Sequence, residues 1–159
     1  MPQTYSAGEV IFGKGTQVRY SVIAAGGATT RPAAISFKVL KAVTTSEIKG
    51  TQDTKDTPVD YDSVDGDWKD ARPGTRGWSF SMTANVKNDA TQATDLQALH
   101  DAWASGLYVW IERLIPSDTF WRGGLGFITD PSDPAPADGV VTFTCGVTGK
   151  QALTKIAVV

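Results

Sequence analysis

The chain has one cysteine, Cys145, so no intrachain disulfide framework can hold it, and strength must come from packing or assembly. It has one histidine, His100, with no serine or cysteine partner in a recognisable nucleophile motif. It has no basic excess: fifteen Lys and Arg against seventeen Asp and Glu leave −2, which gives no chain-wide electrostatic case for gripping a phosphate backbone. No apolar run approaches the roughly eighteen residues that a membrane span requires. The opening MPQTYSAGEV lacks the basic and apolar regions of a secretory signal, so the mature chain is expected to start there.

What is present suits a single β-rich domain. A chain of 159 residues can bury a real core but is a poor fit for two domains, and its 16 glycines and 8 prolines supply many turns. One domain is expected over residues 1–159, with an N-terminal arm at 1–15, a long inter-strand loop at 50–76 and a C-terminal tail at 150–159. Val18, Tyr20 and Val22 share one side of a first strand. Ile35, Phe37 and Val39 alternate with Ser36 and Lys38, which reads as a long strand bent by a bulge near Leu40 and projecting past the sheet. The clearest strand sets Trp78, Phe80, Met82, Ala84 and Val86 against Ser79, Ser81, Thr83, Asn85 and Lys87. One face is core and the other wet.

A helix is expected at TDLQALHDAWASG, with Thr94 and Gln97 at capping-box spacing, Leu96, Leu99 and Trp103 on one face, and Gly106 as a left-handed cap. Strands LYVWIERLI, FWRGGLGFIT and GVVTFTCGVTG follow, with DPSDPAPADG as a turn or exposed loop between the last two.

The chemical motifs fail on inspection. Gly8 and Gly13-Lys14 have phosphate-loop spacing, but Gly15 stands where Ser or Thr must reach Mg²⁺, and a strand follows where a helix is needed. With Gly66 at the sixth position of a calcium loop, Tyr61 and Arg72 fall where acidic ligands belong. An irregular calcium site from Asp60, Asp62, Asp65 and Asp67 is the minority reading of a segment better suited to solvent or an interface. Cys145 reads as a buried small hydrophobe, and His100 as a helix-surface or core-edge residue. Trp78 and Trp103 fall on expected core faces, while Trp68, Trp110 and Trp121 are open between core and a sugar-stacking platform. No enzyme motif and no cofactor site emerge.

The long loop has its own character. From Thr51 to Arg72, seven Asp against Lys55, Lys69 and Arg72 give −4, so the rest of the chain carries +2 of the total −2. Val59, Tyr61, Val64 and Trp68 add apolar anchors, a combination fit for docking on another copy of the chain, and repeated head-to-tail docking builds a tube.

The order of KAVTTSEIKG, the Asp/Thr-rich loop ending in DWKDARPGTRGW, WSFSMTANV, TDLQALHDAWASG, GGLGFITD and VVTFTCGVTG resembles the major tail tube proteins of long-tailed bacteriophages and phage-derived particles. The resemblance spans most of the chain. It implies an antiparallel β-sandwich or half-barrel with one flanking α-helix and a long loop. It further implies hexameric rings stacked into a tube in the virion tail, assembled in the host cytoplasm, that encloses a tape-measure protein and conducts DNA without binding it specifically. Partners at the ends would be tail terminator and distal tail proteins; no membrane, cofactor, metal or catalysis is implied.

The same reading assigns inter-ring contacts to the loop, with Tyr61 and Trp68 as anchors and Asp65, Asp67 and Asp70 facing basic groups. The candidate lumen face is Ser36, Lys38, Ser79, Ser81, Thr83, Asn85 and Lys87, because short hydroxyls stay hydrated without offering DNA a basic grip. The alternative is a β-sandwich carbohydrate-binding module with a calcium loop.

Overall fold

A computed structural model describes residues 13–57 and 70–158. Its described strands are β1 (Gln17–Val22), β2 (Lys38–Val39), β3 (Val43–Thr57), β4 (Asp70–Asn85), β5 (Tyr108–Leu114), β6 (Phe120–Ser132), β7 (Thr142–Gly149) and β8 (Thr154–Ala157), with one helix, α1 (Ala90–Ala104), between β4 and β5. They form one eight-stranded sheet in the order β2-β1-β5-β6-β7-β4-β3, with β8 added to β6. Every described pairing is antiparallel. The sheet curls: β3 approaches β1 from the far end of the order, and Arg113 on β5 donates from Nη1 to the Ser46 carbonyl on β3 at 2.8 Å.

The concave side holds the core. Trp78, Phe80, Met82 and Ala84 alternate inward along β4 and meet Phe143, Cys145 and Val147 of β7, Val18 and Tyr20 of β1, and Val109 and Ile111 of β5. Period-two patterning reports a half-buried strand most cleanly, which is why this part of the sequence reading holds. Gly149 lies against the Trp78 indole so closely that any Cβ would collide with the ring, and Trp78 Nε1 donates to the Gln151 carbonyl at 2.6 Å.

Helix α1 starts earlier than the expected capping box. Asp89 is the N-cap, accepting from the Thr91 and Gln92 amides, while the Thr94 hydroxyl instead donates to the Ala90 carbonyl inside the helix. Gly106 closes the far end at φ 63°, as its lack of a Cβ permits. The buried stripe runs through Gln92, Asp95, Leu96, Leu99 and Ala102, so Trp103 falls one step round the helix and is 47% exposed, its ring edge-on to His100. Tyr20 donates its hydroxyl to Asp95 Oδ1 at 2.8 Å and fastens α1 to β1; burial first, and the carboxylate second, push that phenol's pKa well above its usual value.

Three expectations are corrected. The stretch around Ile35–Val39 is not a long bent strand: Ala34–Ser36 is a 3-10 turn, β2 has two residues, and Ala42, at φ 58°, breaks the chain before β3 begins at Val43. Ile35 is 95% exposed, so its alternation with Phe37 reported no burial. Where it is described, the loop placed at 50–76 is strand: Thr51–Thr57 pairs with Asp70–Gly77 as a two-stranded arm, irregular among the described pairs between Gln52 and Thr54. A ribbon wet on both faces needs only backbone ladders, so it shows no hydrophobic period to read. The tail at 150–159 contains β8, which pairs with Phe120–Gly123 of β6.

Candidate assembly surfaces

The convex side of the sheet divides into two halves. On one, Ser79, Ser81 and Thr83 of β4 stand beside Lys49, Glu47 and Thr45 of β3 and beside Thr148, Gly146 and Thr144 of β7, and Asn85 sits opposite Thr142. Directly paired residues of antiparallel strands point the same way, so these form one continuous hydroxyl-rich surface. Thr83 and Thr144 share a hydrogen bond between their Oγ1 atoms at 3.2 Å. On β6 the surface continues through Thr129, opposite Gly146, and Phe127, opposite Thr148.

Four of the seven candidate lumen residues, Ser79, Ser81, Thr83 and Asn85, therefore share this surface. Lys87 is exposed just beyond the end of β4. Ser36 and Lys38 are not brought to them: Ser36 lies in the 3-10 turn, and Lys38 lies in β2 at the opposite sheet edge, paired with the core-facing Tyr20.

The other convex half is covered. Arg31 and Phe37, from the segment between β1 and β2, reach it, and Ile23, Trp110 and Leu125 form a second small core with Phe37 and Tyr108 packed against it. In its middle lies Glu112, fully buried. Its carboxylate accepts from Arg19 Nε at 2.7 Å, from Arg31 Nε at 2.6 Å and Nη2 at 3.2 Å, and from Trp110 Nε1 at 3.1 Å. The Arg19 guanidinium lies between Phe37 and Trp121, 3.7 Å from the Trp121 ring centre. A buried carboxylate is tolerated because every lone-pair direction meets a donor and the two flat cations stack on aromatic faces. The sequence held a signal for this cluster: Glu112 interrupts the apolar run YVWIERL at a position that the strand on both sides buries. What the sequence could not show is that Arg31, far along the chain, would come to meet it.

The arm leaves the sheet where β7 ends. β7 accompanies β4 only from Ser79 to Asn85, so nearer the arm tip β4 has β3 as its described neighbour. The described side chains of Thr51–Asp56 and of Ala71–Gly77, Gly74 apart, are exposed, and none packs on the core. Two strands on their own are marginal in water, so an arm of this kind gains most of its order from what it touches. Of the proposed inter-ring residues, Tyr61, Asp65, Asp67 and Trp68 lie outside the described residues, and Asp70 is described only as the first position of β4. Asp60, Asp62, Asp65 and Asp67 of the calcium reading lie outside them too. Among the described residues there is no group of three or more potential metal-ligating side chains.

Of the described tryptophans, Trp78, Trp110 and Trp121 are buried and Trp103 alone is exposed, in a T-shaped contact with His100. Cys145 is buried, and burial pushes its thiol up to about 12. No described helix is long and apolar enough to cross a membrane.

No protein-family model matches the chain, and no curated protein matches it by sequence. Solved structures match it in fold. A chain in the virion of a native gene transfer agent particle superimposes with a TM-score of 0.68 at 17% identity, covering 93% of this chain and 100% of that one. The SPP1 tail tube gives 0.68 at 18% identity, over 94% of this chain and 81% of that one. The tail of an empty gene transfer agent particle, refined with helical and C6 symmetry, gives 0.61 at 21% identity, over 77% and 87%. At these identities the likeness is one of fold, and it carries the resemblance seen in the order of strands, loop and helix: the chain has the phage tail tube fold.

Proposed function

We propose that the protein is the structural subunit of a phage-type tail tube. Six copies form a ring and rings stack into a hollow tube in the virion tail, which encloses a tape-measure protein during assembly and passes DNA during ejection. The observation that carries this reading is the likeness in fold to the SPP1 tail tube along 94% of the chain. The C6 symmetry of the gene transfer agent tail supports six subunits per ring. The role needs no catalysis and no cofactor, and the tube ends would meet terminator and distal tail proteins.

Two surfaces suit the task. The hydroxyl-rich half of the convex side is the candidate lumen: Ser79, Ser81, Thr83 and Asn85 keep water without a dense row of cations, and a formal −2 per copy makes a ring of six about −12, so a polyanion slides past it. Lys87 flanks this surface, and Ser36 in the 3-10 turn and Lys38 at the far sheet edge would join it only across a subunit boundary. The arm and the segment it carries, with Tyr61, Asp65, Asp67, Trp68 and Asp70, would make the contacts between rings. Negative-stain microscopy of the purified chain tests the proposal: rings or tubes are expected, and a monomer that stays dispersed at high concentration overturns it.

A further inference from the structure

One apolar side chain interrupts the hydroxyl-rich half of the convex side. Phe127 is 41% exposed, and of the exposed large apolar residues among those described it alone lies inside the sheet with a strand on either side; the others sit on the edge strand β2, on α1 or outside the strands. Its cross-strand partners are Thr148 on β7 and Tyr108 on β5. The register carries the row on through Ser79 of β4 to Lys49 of β3, so five side chains point the same way across five strands, over about 20 Å of sheet. At the Tyr108 end, Lys150 Nζ lies 3.9 Å from the centre of the tyrosine ring. The row therefore reads cation, two hydroxyls, two aromatic rings, cation. The neighbouring row holds one carboxylate, Glu47, beside Ser81, Gly146 and Thr129.

What such a row can hold follows from its chemistry. Phe127 offers a DNA duplex nothing, because a duplex turns phosphate and sugar outward and keeps its bases stacked. An extended polypeptide gains no backbone pairing there either: β6 is flanked by β5 and β7 at Phe127, so no free strand edge is available to extend. A helix has its backbone groups already paired, and it can bring apolar side chains to the rings and carboxylates to the two lysines.

We propose that Phe127 and Tyr108, bracketed by Lys49 and Lys150, form a seat for an α-helical protein whose apolar stripe is flanked by carboxylates. The identity of that occupant rests on the tail tube reading, which makes it the tape-measure protein inside the bore, held once per subunit at this row. The rows of hydroxyls beside it carry no aromatic ring, and they leave DNA free to slide once the helix has gone.

The probe is a fluorescent amphipathic peptide of about 28 residues, with a leucine stripe flanked by glutamates, mixed with the purified full-length chain before it assembles and read by anisotropy. Binding is expected, weakening with salt and falling about tenfold in Phe127→Thr, which keeps a β-branched residue in the strand. Lys49→Gln with Lys150→Gln is expected to flatten the salt dependence. A peptide with lysines in place of the glutamates, and a labelled DNA duplex, are expected to show no dependence on Phe127. A glutamate peptide that does not bind, or that binds Phe127→Thr as tightly as the unaltered chain, overturns the seat, and so does a duplex whose binding falls with Phe127. If Phe127→Thr does not fold, the lysine pair decides, an unchanged salt dependence overturning the seat. Failure of the tail tube reading looks different: the chain then forms neither rings nor tubes, while the peptide still binds it through Phe127.

Discussion

At the scale of single residues, three side chains make separable predictions. Phe80 is buried in the middle of the β4 row, and Phe80→Ala is expected to cost about 3–5 kcal/mol, read as a lower urea midpoint and scarce soluble subunit. Glu112→Ala leaves two arginines facing each other across a dry aromatic slot, a loss of about 3–5 kcal/mol in the same assay, whereas Glu47→Ala on the exposed surface should change little. Burial raises the Cys145 thiol from 9.0 to about 12, so the native protein keeps a proton that the unfolded chain releases. That contribution to stability is whole below about pH 9 and is lost as pH rises toward 12, and alkylation at pH 8 should require unfolding. Alternation made Phe80 and Cys145 legible in the sequence. It could not place Trp110, whose cluster takes in Phe37 from a distant segment, or Trp121, whose ring face is covered by the Arg19 guanidinium, because neither contact has a local period.

At the scale of elements, the strands with one wet face and one dry face were readable, and the elements without that contrast were not. β4 and β7 match their patterns except at their ends, where Val86 and Val141, expected in the core, lie beyond the strands and are exposed; the arm, wet on both sides, reads as loop, and Ile35–Val39 reads as strand although Ile35 sits exposed in a 3-10 turn. Helix α1 was legible as an element, yet its start was set by Asp89, whose carboxylate is held below its usual range first by the hydrogen bond from Lys41 and then by the Gln92 amide. That support is present above the ordinary carboxylate range and is lost as pH falls through the lowered value, so the helix start should loosen in acid, seen as faster amide exchange at Thr91 and Gln92. Deleting Thr57 to Asp67 spares every described core residue. Circular dichroism should show a folded subunit, and microscopy should show that long tubes are lost. Chelator should leave tube assembly unchanged, and its loss on chelation would bring calcium back.

At the scale of the whole molecule, the curled sheet was not derivable from strand patterns, which report burial and not strand order. The resemblance in the order of elements supplied a β-sandwich or half-barrel, and the strand order came only with the structure. The candidate lumen can be tested in finished tubes: Ser81→Cys should label faster with a small thiol reagent than with one too bulky to enter the bore, and buried Cys145 will not compete. Equal rates would put Ser81 on the outside. Ser81→Lys with Thr83→Lys should permit tubes yet slow DNA ejection, since paired cations repeated in every ring retain phosphate. The same architecture has a mechanical side. β4 runs unbroken from the arm to the opposite end of the sheet, with β3 paired along its length and β7 along its second half. A pull on the arm is therefore borne lengthwise by covalent backbone and resisted by many ladder hydrogen bonds loaded together in shear, not peeled open one after another. A tail built from such subunits could flex at its joints while each subunit stayed taut.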